Sequence, residues 1–188
     1  MDGNAREILD FWLGLGPEGW YRADDTVDAT IRDRWGALWE TARDGGLGGW
    51  RAAPDSCLAL VILLDQFPRN MFRQDPRAFS SDNRALAVSR TAILHGQDKR
   101  VEPPLRQFFY MPLMHSELQS NQDQAVRLFL INFGRGELLH HAQAHREIIR
   151  RFGRFPYRNA ALGRESTPEE LVFLNEGGYR AIFDEIAA

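Results

Sequence analysis

Residues 57–72 read CLALVILLDQFPRNMF, and this stretch decides what kind of fold the chain can adopt. Its eight consecutive apolar residues, 57–64, could form either a buried strand or a fully buried helix. No other segment alternates apolar and polar residues with the period of two that a partner strand would need. We therefore predict a central helix that begins near Pro54 and Asp55 and is mostly inaccessible to water.

The composition is that of an ordinary globular protein and argues against several functional classes. Of 188 residues, 44% are hydrophobic and 26% are charged, which fits one domain with its own core. No run approaches the ~20 apolar residues of a membrane span, and MDGNAREILD lacks the features of a signal peptide. The single cysteine, Cys57, permits no internal disulfide and fits a reducing compartment, so we expect a cytoplasmic protein. The net charge of −3 makes nucleic-acid binding unlikely.

Amphipathic segments with start and stop signals predict helices along nearly the whole chain. The first covers residues 5–13 and stops at Gly14 and Gly16, and the second begins after Asp24 or Asp25 and ends near Arg43. The others cover residues 82–94 after a Ser80 or Ser81 cap, 105–114 with a kink at Pro112, 125–133 after a Ser120–Asp123 capping box, 137–152, 168–175 after a Thr167 cap, and 179–186. The short loops rich in Gly and Pro predict that helices adjacent in sequence pack antiparallel to one another. We therefore predict an all-α fold in which residues 1–188 form a single domain of about eight antiparallel helices.

One sequence motif occurs twice, each time after a predicted helix. Phe67-Pro68-Arg69-Asn70 follows the apolar run, and FPYRN at residues 155–159 follows the helix over 137–152. A proline disfavours helical geometry in the residue before it, so each FP pair is expected to end its helix. The arginine and asparagine beyond it could bond the free carbonyls of that helix, or they could bind a ligand. The pattern alone leaves both interpretations open.

Three blocks of this sequence, taken together, resemble bacterial domain-of-unknown-function family 924. They are LALVILLDQFPRNMFR at residues 58–73, FFYMPLMHSE at 108–117 and FGRFPYRNAALGRESTPEE at 152–170, and ILDFWLG at 8–14 matches as well. The resemblance covers nearly the whole chain. It implies a helical fold of the tetratricopeptide-like superfamily, here without a clean repeat. It implies no activity, because the family has no established one.

The polar residues of these blocks are the candidates for a functional site. Asp65 follows the apolar run on an inward face, and a buried carboxylate is costly unless it is paired. Asp65, His115 and Glu117 are candidate catalytic residues, although helix capping also explains Asp65. Arginine binds anions through a fixed fork of donors. The candidate ligand-binding residues are Arg69, Asn70, Arg158, Asn159 and Arg164.

His141 and His145 are spaced i, i+4 on one predicted helix, which would place two imidazoles within reach of one metal ion. No glutamate lies between them as in a zinc-protease motif, and a third ligand would have to come from His115 or Glu117. A hydrogen-bonded core histidine is the favoured interpretation, so we predict no metal. The sequence contains no phosphate-binding glycine loop or dinucleotide fingerprint, so we predict no cofactor either.

Three functions remain open at this point, and an RNA-associated protein is the least favoured of them. We favour a tetratricopeptide-like scaffold that binds a peptide or protein partner. The alternative is an enzyme that acts on a small anionic substrate in a polar pocket formed by the three blocks. The sequence does not identify a partner or a substrate. An enclosed pocket that brings the blocks together would favour the enzyme.

Overall fold

The computed structural model describes residues 2–188, and within them every regular element is a helix. The α-helices are α1 (Gly3–Trp20), α2 (Asp25–Arg43), α3 (Pro54–Asp65), α4 (Phe67–Met71), α5 (Asp82–Leu94), α6 (Met111–Met114), α7 (Gln119–Phe133), α8 (Glu137–Phe152), α9 (Pro168–Asn175) and α10 (Gly178–Ala187). Short 3-10 helices lie at Gly48–Ala52, Pro76–Phe79, Asp98–Arg100, Leu105–Phe109 and Pro156–Arg158. The all-α prediction is confirmed. None of the described helices is long and apolar enough to cross a bilayer.

The described residues divide into two compact units. The first runs to Pro112 and the second is Leu113–Ala188. Each unit has helices that pack on one another and a core of its own. That residues 1–188 form a single domain stays a prediction.

Helix α3 is the centre of the first unit, as its apolar sequence predicts. Every residue from Ser56 to Asp65 is buried, and helices α1, α2 and α5 pack around it. The ring of Phe67, which follows α3, lies 5.7 Å from that of Trp12 and 5.1 Å from that of Trp35, measured between centroids. Aromatic contacts at these distances add specific packing to the burial of apolar surface.

Helix α8 organises the second unit by packing against α7 and α10. Its residues Ile148 and Ile149 contribute to a core that also contains Phe155, Phe173 and Phe183. Gly153 ends α8 in the left-handed conformation that glycine favours at a helix C-terminus. The chain then becomes extended at Phe155, as the following proline favours, whereas Phe67, which also precedes a proline, already lies in α4.

Several predicted helix starts are present as expected. The side chain of Asp24 accepts hydrogen bonds from the backbone N–H groups of Thr26 and Val27 at the start of α2. At the start of α9, Thr167 and Glu170 form the reciprocal pair of bonds that defines a capping box. Both helices therefore begin where nearby side chains accept hydrogen bonds from the backbone N–H groups of the first turn.

Other predicted boundaries were wrong. Helix α1 breaks at Gly16, near the expected stop, but resumes at Pro17 and reaches Trp20. There the Trp20 indole donates to the carbonyl of Trp12, a tertiary contact that extends the helical segment. Helix α7 begins at Gln119 without a side-chain cap, so the Ser120 capping box is also wrong.

The remaining differences concern short elements. Residues 105–114 form a 3-10 helix and the four-residue α6 instead of one kinked helix. Ser81 precedes α5 but makes no cap bond. Its hydroxyl donates to the carbonyl of Leu64 and accepts from the Trp39 indole, so it ties α5 to α3 and α2.

Candidate functional site

The first FP motif places a charged network at the end of α3. The carboxylate of Asp65 is completely buried, accepts a hydrogen bond from Gln66 Nε2 and lies 3.5 Å from Arg69 Nη1. Arg69 also donates to the Asp65 carbonyl and forms a two-point ion pair with Asp82, at 3.0 Å for each bond. The guanidinium therefore bonds a terminal carbonyl of the helix just ended, as the capping interpretation predicts.

Asn70, the next candidate, points to a different partner. Its Nδ2 donates to Oδ1 of Asp28 on α2 at 2.9 Å, and Arg73 pairs with the same carboxylate. Asp28 is buried, so these two donors compensate for the loss of its hydration. Asn70 thus joins α4 to α2.

The second unit has a corresponding network around Glu117. Arg164 forms a two-point ion pair with this carboxylate, at 2.8 and 3.0 Å, and the backbone N–H of Phe155 donates to it at 2.9 Å. Burial opposes ionisation, but the donors from Arg164 and Phe155 outweigh it and lower the pKa of Glu117 below its usual value. Glu117 is therefore a stable anion that fixes the second FP motif.

Asn159 continues this network towards α9. Its Oδ1 accepts from Arg164 Nε at 2.9 Å, and its Nδ2 donates to Glu170 at 3.1 Å. Glu170 also pairs at two points with Arg154, whose hydrogen bond is the largest cause of lowering the Glu170 pKa to about 2. Buried Asn159 and Glu170 thus link the FP motif to the capping box of α9.

His115 and Arg158, two of the candidates, form a cluster with His145 in the second unit. The ring centroids of His115 and His145 are 6.1 Å apart. The guanidinium of buried Arg158 lies 4.3 Å from the centroid of the Phe155 ring. Desolvation, together with His115 and Arg158, lowers the pKa of His145 to about 3. His145 is therefore neutral at physiological pH, and its Nδ1 donates to the His141 carbonyl at 2.8 Å.

His141, the i−4 neighbour, is bonded elsewhere. Its Nδ1 forms a hydrogen bond with the hydroxyl of Tyr179, and burial lowers its pKa. Among residues 2–188, no group of three His, Cys, Asp or Glu side chains is arranged to hold a metal ion. The His141–His145 spacing is thus explained by hydrogen bonds in the second unit.

The structure brings the candidates together in two groups. Asp65, Arg69 and Asn70 belong to the first unit, whereas His115, Glu117, Arg158, Asn159 and Arg164 belong to the second. That all three sequence blocks form one pocket stays a prediction.

Sequence reasoning missed several residues that complete these groups. Asp28, Asp82, Glu170 and Tyr179 neutralise or orient candidates from distant positions in the chain. Of these, only Glu170 carried a local signal, as the acidic member of a capping box. The site is therefore richer in internal carboxylates than the candidate list predicts.

Comparisons with known proteins agree with this architecture. The profile of a family described as bacterial protein of unknown function, DUF924, matches residues 8–178. A solved structure of a protein of unknown function, ATU0120 from Agrobacterium tumefaciens, is 42% identical in sequence. The similarity covers 92% of this chain and 97% of that one, with a TM-score of 0.88. No protein of curated function matches. Because the family profile spans nearly the whole sequence, the chain belongs to the DUF924 family.

Proposed function

We propose that this protein is a tetratricopeptide-like scaffold that binds a peptide or protein partner in the cytoplasm. The observation that carries the proposal is the internal pairing of the candidate arginines. Arg69 is paired with Asp82, and Arg164 with Glu117, at two points each. An arginine that already has a carboxylate partner places little demand on an external anion. The buried Cys57 fits the proposed reducing compartment.

Exposed apolar side chains supply the surface that such a scaffold would use. On α7, Leu130 and Ile131 are 45% and 66% exposed. Apolar side chains of a partner peptide would gain free energy by covering these residues. We propose this adjacent pair as the apolar contact for the partner.

An enzyme acting on a small anionic substrate is the alternative, and the His115–His145–Arg158 cluster favours it. The pKa of about 3 keeps the His145 ring neutral but makes it a weak base, so His115 is the histidine of this cluster that would take up a proton. A guanidinium beside an imidazole is a combination that can position an anion and remove a proton from it.

Selection from a library of random peptides, followed by calorimetric titration of the selected sequences, tests the scaffold. We expect a peptide with apolar anchors to bind, and the double substitution Leu130→Asp with Ile131→Asp to abolish binding. Leu94→Asp is the matched control, since Leu94 is 82% exposed on α5.

Absence of peptide binding, together with turnover of a small anionic compound, would support the enzyme alternative. If no peptide binds, and a panel of small anionic compounds reveals a turnover that His115→Ala removes, the scaffold proposal is wrong.

A further inference from the structure

A small cavity in the first unit lies outside both groups of candidate residues. Its floor is apolar and consists of Ala42, Leu60, Leu64 and Val88, all of which are buried. Its rim carries two arginines, Arg51 and Arg84, and the loop residues Gly45, Leu47 and Gly48. The space measures about 280 Å³ including the open mouth, which suits a ligand of only a few heavy atoms.

The two rim arginines differ from the arginines of the sequence blocks. Arg69, Arg154 and Arg164 each have a carboxylate partner. By contrast, no hydrogen bond or ion pair joins the guanidinium of Arg51 or Arg84 to any residue among 2–188. The rim of the cavity therefore carries two positive charges, and no carboxylate among residues 2–188 forms an ion pair with either of them.

Arg84 also lies in the first turn of α5, where the exposed N–H groups of the helix already carry partial positive charge. A cation in this position is unfavourable, and the acidic residue of the same turn, Asp82, is already paired with Arg69. A ligand with a negative charge at the rim would relieve this repulsion as well as pair with the guanidinium.

The glycine-rich loop is shaped to let Arg84 approach. Gly45 has φ +98°, and a Cβ at this residue would lie 3.0 Å from Arg84 Nη1. A side chain there would strain the backbone and displace the guanidinium. The far side of the loop is held in place, because Gln97 donates to the Arg51 carbonyl at 3.0 Å and Ser56 donates to the Trp50 carbonyl at 2.8 Å.

We infer that this cavity binds a small organic carboxylate with a short aliphatic tail. The carboxylate pairs with Arg51 and Arg84 at the rim, and the tail contacts Leu60, Leu64 and Val88 on the floor. A purely inorganic anion would make no contact with the apolar floor, whereas a neutral aliphatic molecule would leave the two charges unpaired. The inference is independent of the proposed function, because the cavity shares no residue with the exposed apolar pair on α7.

Calorimetric titration of the full chain with isovalerate tests the site, with its neutral amide, isovaleramide, as the matched ligand control. We expect isovalerate to bind with a Kd of about 1 mM or below and the amide not to bind measurably. Arg51→Gln and Arg84→Gln should each weaken isovalerate binding by roughly tenfold, since each removes a charge-assisted bond. Arg90→Gln, an exposed arginine on the same helix as Arg84, should leave the affinity unchanged.

Three results would overturn the inference. One is the absence of isovalerate binding to the unsubstituted protein at a ligand concentration of about 10 mM. Another is equal loss of affinity in Arg90→Gln, which would indicate a general effect of net charge. The last is inorganic phosphate binding more tightly than isovalerate, because the apolar floor would then contribute nothing. Both arginines are exposed, so the variants are expected to fold, and circular dichroism checks this.

Discussion

His145 connects the pH of the solution to the stability of the second unit. Its pKa is about 3 in the folded protein and near its ordinary value of 6.5 in the unfolded chain. As the pH falls below 6.5, the unfolded chain therefore takes up a proton that the folded protein does not. Linkage then requires that the folded state lose stability as the pH falls from 6.5 towards 3.

Replacing His145 should remove this contribution. In His145→Gln we expect the free energy of unfolding to depend less on pH between 6.5 and 5, by up to about 1 kcal/mol per pH unit. Urea denaturation at several pH values measures this pH dependence of the free energy of unfolding. His95→Gln is the control, because His95 is exposed at the end of α5. An unchanged pH dependence in His145→Gln would contradict the lowered pKa.

Glu117 is predicted to stabilise the fold rather than to react. The substitution Glu117→Ala removes the acceptor of three hydrogen bonds, two from Arg164 and one from the Phe155 backbone. We expect a loss of about 1–3 kcal/mol in the free energy of unfolding, measured with denaturant. Glu169→Ala, on the exposed surface of α9, should change stability by less than about 0.5 kcal/mol. Equal effects of the two substitutions would show that the network contributes nothing.

At the scale of the helices, α3 determines the stability of the first unit. Leu63 is fully buried within it, so Leu63→Ala leaves a cavity among well-packed neighbours. We expect a cost of about 2–5 kcal/mol in the free energy of unfolding. The same truncation at Leu94, which is 82% exposed, is the matched control and should cost little. A thermal midpoint that is the same in both variants would contradict the placement of α3 in the core.

The helices that could be predicted from sequence are those with local signals at their ends. The Asp24 cap and the Thr167 capping box each satisfy free backbone N–H groups within three residues. A short stretch of sequence therefore contains all the residues that determine where the helix begins. The extension of α1 to Trp20 depends instead on a bond to the Trp12 carbonyl across the break at Gly16. The stretch of sequence up to Gly16 does not include Trp20, so the helix could not be predicted to continue from that stretch alone.

The sequence indicated which polar side chains to consider as a candidate site, but not the partners that they bind in the structure. Polar side chains beside apolar runs marked Arg69, Asn70 and Glu117 as candidates, and the structure buries each of them at least in part. Their partners lie 13 to 47 positions away, as in Arg69–Asp82 and Glu117–Arg164. Nothing in the local sequence distinguishes these carboxylates from others of the same type, and only tertiary packing selects them.

On the scale of the whole chain, the two units raise the question of how many folding domains there are. Each unit has its own core and its own ion pairs, which is what an independently folding domain needs. The sequence, on the other hand, has no linker, and the boundary between Pro112 and Leu113 falls inside α6. We retain the prediction of a single domain.

Differential scanning calorimetry of the full chain separates the two possibilities. A single domain should unfold in one transition whose calorimetric and van't Hoff enthalpies are equal. Leu63→Ala in the first unit and Glu117→Ala in the second should then each lower the midpoint of that same transition, because cooperative unfolding shares the loss of stability across the chain. Two resolved transitions, of which Leu63→Ala shifts one and Glu117→Ala shifts the other, would show instead that the units fold independently. In that case the domain boundary lies within α6, beside Pro112, where the sequence predicts a kink but not a linker.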